Sequence, residues 1–137
     1  MTEYKTAADV LTEANRLVSG DRGKTHGGKH DNFTKIARIW NAYLRNANPA
    51  HIPLTPSQAA DLMELMKVAR RQSGTFNPDD YIDGAGYAGV AFEAHVEEDR
   101  LLDSVRAAKA YGAAAQPLGG DVYAEVNEVF FGDPPRR

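Results

Sequence analysis

Apolar residues recur along this chain at intervals of three and four, in runs broken by glycine, proline and asparagine, and that spacing predicts helices. From Thr6 to Ser19, Ala7, Val10, Leu11, Ala14, Leu17 and Val18 share one helical face, with Thr6 as cap and Gly20 as stop. The glycine-rich stretch that follows, GDRGKTHGGKHDN, has no period and predicts a loop carrying Arg22, Lys24, Thr25, His26, Lys29, His30 and Asn32. A second helix is expected from near Asp31 to about Arg45, with an apolar stripe of Phe33, Ile36, Ala37, Trp40, Tyr43 and Leu44. Thr55, Pro56 and Gln58 have the spacing of a capping box with proline at the first helical position, which starts a third helix running to about Ser73, with Gly74 as its stop. Asn77-Pro78-Asp79-Asp80 starts a fourth and long helix, expected to reach Tyr111, with its acids in the first turn where the helix dipole favours them.

These elements predict an all-α helical bundle of about four main helices over residues 1–111, followed by a tail over residues 112–137 with a short helix around Val122 to Phe131. Val129, Phe130 and Phe131 of that tail are candidates to dock on a partner subunit. Nothing reads as a strand or an internal repeat. At 137 residues the chain is long enough to bury a core without staples.

Composition narrows the chemistry. There is no cysteine, which excludes disulfides, thiolate metal sites and a cysteine nucleophile, and leaves oxygen or imidazole to hold any metal. A net charge of -3 argues against general nucleic-acid binding. No apolar run approaches the roughly 20 residues of a membrane span, and the first ten residues lack a signal-peptide layout, so a cytoplasmic location is expected.

The candidate chemistry lies on the third and fourth helices. Asp61 and Glu64 are three apart on one, and Asp80 and Asp83 three apart on the other, so each pair projects from a single face. Two helices joined by a short turn can bring the pairs together. Like charges 4 Å apart repel by ~4 kcal/mol at an effective dielectric near 20, a cost that a hard divalent cation reverses. The other reading is that these acids are solvated charges and caps. Lys67 and Arg70 continue the same helix three residues apart, so an acidic end is followed by a basic one, as a metal-bound polyphosphate would require; simple ion pairs along the helix are the alternative. Tyr87, four after Asp83, is placed either to stack on a base or to pack.

Two lures are set aside. Gly84-Ala85-Gly86-Tyr87-Ala88-Gly89 has the dinucleotide-binding spacing but lies inside helical periodicity rather than after a strand, so its glycines predict close helix approach. His26 and His30 have the spacing of helical zinc ligands, but Gly27 and Gly28 between them break the helix. Trp40 reads as packing, and no serine–histidine motif is present.

The pattern D-x-x-E, fifteen residues, D-x-x-D resembles the E-x-x-E and E-x-x-D signature of the MazG-like, all-α NTP pyrophosphohydrolases. The stretch from Asp21 to Glu93 is also similar to a small phage-associated family, through DR..THG...DNF..IA..W..YL, LT..QAADLM.LMK.AR and DDYID.AGYAG. The first resemblance implies a dimeric or tetrameric helical bundle that cleaves a nucleoside triphosphate to a monophosphate and pyrophosphate. It implies Mg²⁺ as cofactor, held by Asp61, Glu64, Asp80 and Asp83, with Glu64 or the metal activating water. Lys67 and Arg70 would neutralise phosphates, Tyr87 would contact the base, and Arg22, His26 and Asn32 would close over the ligand. Aspartate at the first and third places is one methylene shorter than the signature's glutamate, which leaves open nucleotide binding without turnover. The rival from another class is a small phage-type helical protein that binds and inhibits a host protein, suggested by the apolar tail and the acidity.

Overall fold

In a computed structural model describing residue 4, residues 6–20 and residues 28–112, the chain forms four helices: α1 (Ala7–Ser19), α2 (Lys29–Ala47), α3 (Pro56–Arg71) and α4 (Pro78–Gly112). No strand occurs among the described residues, so the all-α expectation holds. The segment carrying Arg22 and His26 and the tail with its expected helix at 122–131 lie outside the described residues.

The helix starts follow local chemistry. Thr6 and Thr55 each form a complete capping box, with Asp9 and Gln58 as the reciprocal partners. The Asn77 side chain accepts from the Asp79 N–H at 3.2 Å. α2 begins at Lys29, two residues before its expected start, and Gly28 at its N-cap makes no side-chain cap bond. Asp31 therefore lies within the first turn, where its charge suits the helix dipole.

The core is built from small residues. Ala59 and Ala60 of α3 and Ala91 of α4 meet Phe33 and Ala37 of α2 and Val90 of α4, with Val18, Ile36, Trp40, Met63 and Tyr87 packed around them. Alanines at the contacts let helix axes approach towards the short end of the usual 8–10 Å range. Tyr43 and Leu11, expected on apolar stripes, are instead exposed. The buried positions of α2, Phe33, Ala37 and Asn41, repeat every four residues, and Tyr43 lies off that line.

Two buried polar groups lock the frame. Asn41 donates to the Leu54 carbonyl at 2.9 Å, accepts from the Leu54 N–H at 2.8 Å and lies 3.0 Å from His51 Nε2, fixing the connection into α3. Glu98 of α4 accepts from the Ser57 N–H and from the Ser57 hydroxyl, each at 2.7 Å, and so caps the start of α3. Pairing of Ser57 with Glu98 means that residues 99–112 run on past the beginning of α3. No helix among the described residues is long and apolar enough to cross a membrane.

Candidate functional site

α3 and α4 form an antiparallel hairpin joined by residues 72–77, with Gly74 at φ 86°, a left-handed turn conformation that favours glycine. Its register is read from side chains that cross it. Lys67 Nζ lies 2.8 Å from Asp83 Oδ2 and 3.8 Å from Asp80 Oδ1. Arg70 Nε lies 3.3 Å from the same Asp80 oxygen. Arg71 donates to the Asp80 backbone carbonyl through Nη2 at 2.8 Å and Nε at 3.3 Å, and its guanidinium sits 4.4 Å from the centre of the Tyr81 ring.

The glycines behave in three different ways. A side chain at Gly84 would collide with the Arg71 guanidinium, and one at Gly86 would meet Val18 of α1 at 3.4 Å. Close approach therefore accounts for Gly84, while a methyl group at Gly86 would make ordinary van der Waals contact with α1. A methyl group on Gly89 would meet no other side chain or helix within 4 Å, so that position carries no such constraint.

The four acids are not brought to one point. Lys67 stands opposite Asp83, and Glu64 is three residues further from the turn, roughly 4.5 Å along the axis at 1.5 Å per residue. Asp61 is as far again. Asp61 is exposed, Glu64 is half-buried, and neither makes a hydrogen bond or ion pair among the described residues. No group of three or more histidine, aspartate or glutamate side chains stands close enough to hold a metal among the described residues. Convergence of Asp61 with Asp83, and of Glu64 with Asp80, requires a hairpin that turns about one helical turn earlier. The residues present do not fit the four-carboxylate Mg²⁺ cradle that the MazG-like signature implies.

Lys67 and Arg70 also differ from both expectations. They neither run free towards a ligand nor pair along α3, because α4 presents Asp80 and Asp83 directly across from them. Asp80 is 4% exposed, and its Oδ1 accepts no hydrogen bond, so charge alone holds that oxygen. An aspartate in the first turn of α4 reads as a cap from sequence, and only the register shows that it is buried.

Beside the hairpin a cleft of about 500 Å³ opens between α1, α2 and α4, with Met63 of α3 also lining it. Its apolar wall includes Leu17 and Val18 of α1, Phe33 and Ile36 of α2, and Ile82 and Val90 of α4. Phe33 and Tyr87 meet edge to face at 6.2 Å between ring centres. The polar lining residues are Lys29, Asn32, Asp83 and Tyr87. Of the expected ligand contacts, Asn32 and Tyr87 line this cleft together, joined by Asp83, while Lys67 and Arg70 do not line it. Arg22 and His26 fall outside the described residues, between Val18 and Lys29, which both line the cleft.

Lys29 is a lining residue that periodicity placed in a loop. It lies 3.0 Å from Glu93 Oε2, with both side chains partly in solvent, a pairing that salt screens and a bound anion can replace. Phe33 was legible only as core, because a cleft wall and a core contact share the same apolar spacing.

Comparison with known proteins gives the setting. The chain is 34% identical over 90 residues to the Gene 55 protein of Mycobacterium phage L5, covering 66% of this chain and 54% of that protein. It is 36% identical over 100 residues to the Gene 55 protein of Mycobacterium phage D29, covering 70% of this chain and 62% of the relative. The chain thus spans between half and two-thirds of the length of these two curated relatives. No solved structure matches it. The family described as "Domain of unknown function (DUF6378)" matches residues 9–95, a stretch holding most of α1, all of α2 and α3, the first half of α4 and every cleft-lining residue, and the chain belongs to that phage-associated family.

Proposed function

We propose that this protein binds a nucleoside phosphate in the cleft between α1, α2 and α4, and that it does so without hydrolysing it. The observation that carries this reading is the make-up of the cleft. A cavity of about 500 Å³ has one aromatic wall, Phe33 and Tyr87, and a polar edge of Lys29, Asn32 and Asp83. Its size falls in the usual range for small-molecule sites, and a few polar groups on an apolar lining are the usual means of orienting such ligands. A base seats against Phe33 and Tyr87, Asn32 and Asp83 offer an amide and a carboxylate to its edge, and Lys29 meets the phosphate. The likeness to NTP pyrophosphohydrolases favours a nucleotide over other small molecules. The neutralised state of Asp80 and Asp83 favours binding over turnover, since water activation in that chemistry depends on carboxylates free to act.

Thermal unfolding of the full chain with each common ribo- and deoxynucleoside mono- and triphosphate tests this. A bound ligand at about 100 times its dissociation constant adds ~2.7 kcal/mol to stability, a shift easily seen. One nucleotide class raises the midpoint, and Tyr87→Ala removes that response while the protein remains folded. No shift with any nucleotide at millimolar concentration would sink the reading. Pyrophosphate release above the uncatalysed rate would restore the hydrolase and overturn the second half of the proposal.

A second reading rests on a different surface. Leu62, Leu65 and Met66 lie exposed on the side of α3 turned away from the core, a helix apolar on both faces. That stripe suits contact with another protein chain; a second copy would give the homodimer or homotetramer implied by the MazG-like resemblance.

A further inference from the structure

Asp80 and Asp83, in the first two turns of α4, are already neutralised from within the fold. We propose that the Lys67 ammonium occupies the place between Asp80 and Asp83 that a divalent cation would take, so that this site is closed to Mg²⁺ in the protein as it exists. Lys67 Nζ contacts Asp83 at 2.8 Å and Asp80 at 3.8 Å, and its side chain is 11% exposed. Arg70 adds a second positive charge 3.3 Å from Asp80 Oδ1. Two carboxylates and two cations sum to zero, so an added divalent ion would enter a site with no charge left to attract it and an ammonium in its way.

The fit of the lysine is set by its neighbours. Arg71, donating to the Asp80 backbone carbonyl at 2.8 Å, holds that stretch of α4 against α3, so that Lys67 faces Asp83 and Asp80 across the hairpin. Mg²⁺ demands about six oxygens at ~2.0–2.1 Å, and Asp61 and Glu64 are a turn or more too far along α3 to help supply them. Asp83 Oδ2, the oxygen nearest the ammonium and the more exposed of the two, is the one that such an ion would reach first once the ammonium is gone, with Asp80 Oδ1, buried and accepting no hydrogen bond, behind it. The inference does not rest on the nucleotide reading, and its test uses metal alone.

The full chain is titrated with MnCl₂ and free Mn²⁺ followed by electron paramagnetic resonance. Wild type shows no saturable binding at low-millimolar metal. Lys67→Ala and Lys67→Met, checked for native helicity, bind Mn²⁺ more tightly than wild type by on the order of tenfold or more, the scale on which the groups around a metal site tune affinity. Adding Asp83→Asn to either variant abolishes the gain. A folded variant that gains nothing overturns the proposal, as does a wild-type chain that binds Mn²⁺ saturably and loses it with Asp83→Asn. Should neither lysine variant fold, the wild-type titration alone decides, with saturable binding against the proposal and its absence for it.

Discussion

Gly84 and Gly89 lie in the same helix five residues apart, yet only one of them is there for space. An alanine at position 89 meets nothing within 4 Å, and replacing glycine inside a helix gains about 0.5–1 kcal/mol. An alanine at 84 displaces the Arg71 guanidinium and with it two hydrogen bonds to the Asp80 carbonyl. Hydrogen bonds from charged groups are worth roughly 1.5–3 kcal/mol, which outweighs the helix gain. Gly89→Ala is therefore expected to raise the unfolding midpoint and Gly84→Ala to lower it; equal gains in both would refute the role given to Arg71. The repeated glycines show in the sequence that helices approach closely here. Which glycine serves that contact is not written there, because it depends on what stands opposite.

At the scale of elements, helix starts were legible and helix pairing was not. Thr6, Thr55 and Asn77 act on backbone groups two or three residues away, so their roles are written locally. The hairpin register is a tertiary property, fixed by Lys67, Arg70 and Arg71 reaching across to Asp80 and Asp83. A slip of six residues along α3, roughly 9 Å at 1.5 Å per residue, separates four acids that share a cation from two acids held by internal cations. The i, i+3 spacing of each acid pair is the same in either case. The link between α2 and α3 depends on a single amide in the same way. Asn41→Ala removes both bonds to Leu54 and the contact with His51, leaving buried backbone groups without partners. A loss of about 2–3 kcal/mol is expected in urea unfolding; a loss below about 0.5 kcal/mol would mean that Asn41 does not hold the connection.

For the whole molecule, the all-α bundle was readable because amphipathic periodicity is a property of each helix alone. The cleft was not, since its walls come from four helices and its apolar residues are spaced like any core. The outer face of α3 was also hidden, because a helix apolar on two sides gives no cue as to which side is covered. Leu65, 59% exposed at the middle of that face, is the place to test it. Leu65→Glu is expected to convert an oligomer to a monomer in sedimentation while leaving nucleotide binding unchanged. A wild-type chain that sediments as a monomer at tens of micromolar would remove the second copy as the occupant.

The cap on α3 has a consequence for where this fold can be cut. Ser57 and Glu98 are 41 residues apart, and the matched family region stops at residue 95. A fragment trimmed to that boundary keeps the whole cleft lining but discards the carboxylate that satisfies the first turn of α3. The region by which relatives are recognised is thus shorter than the unit that holds itself together, and the third helix of such a fragment would fray from its beginning.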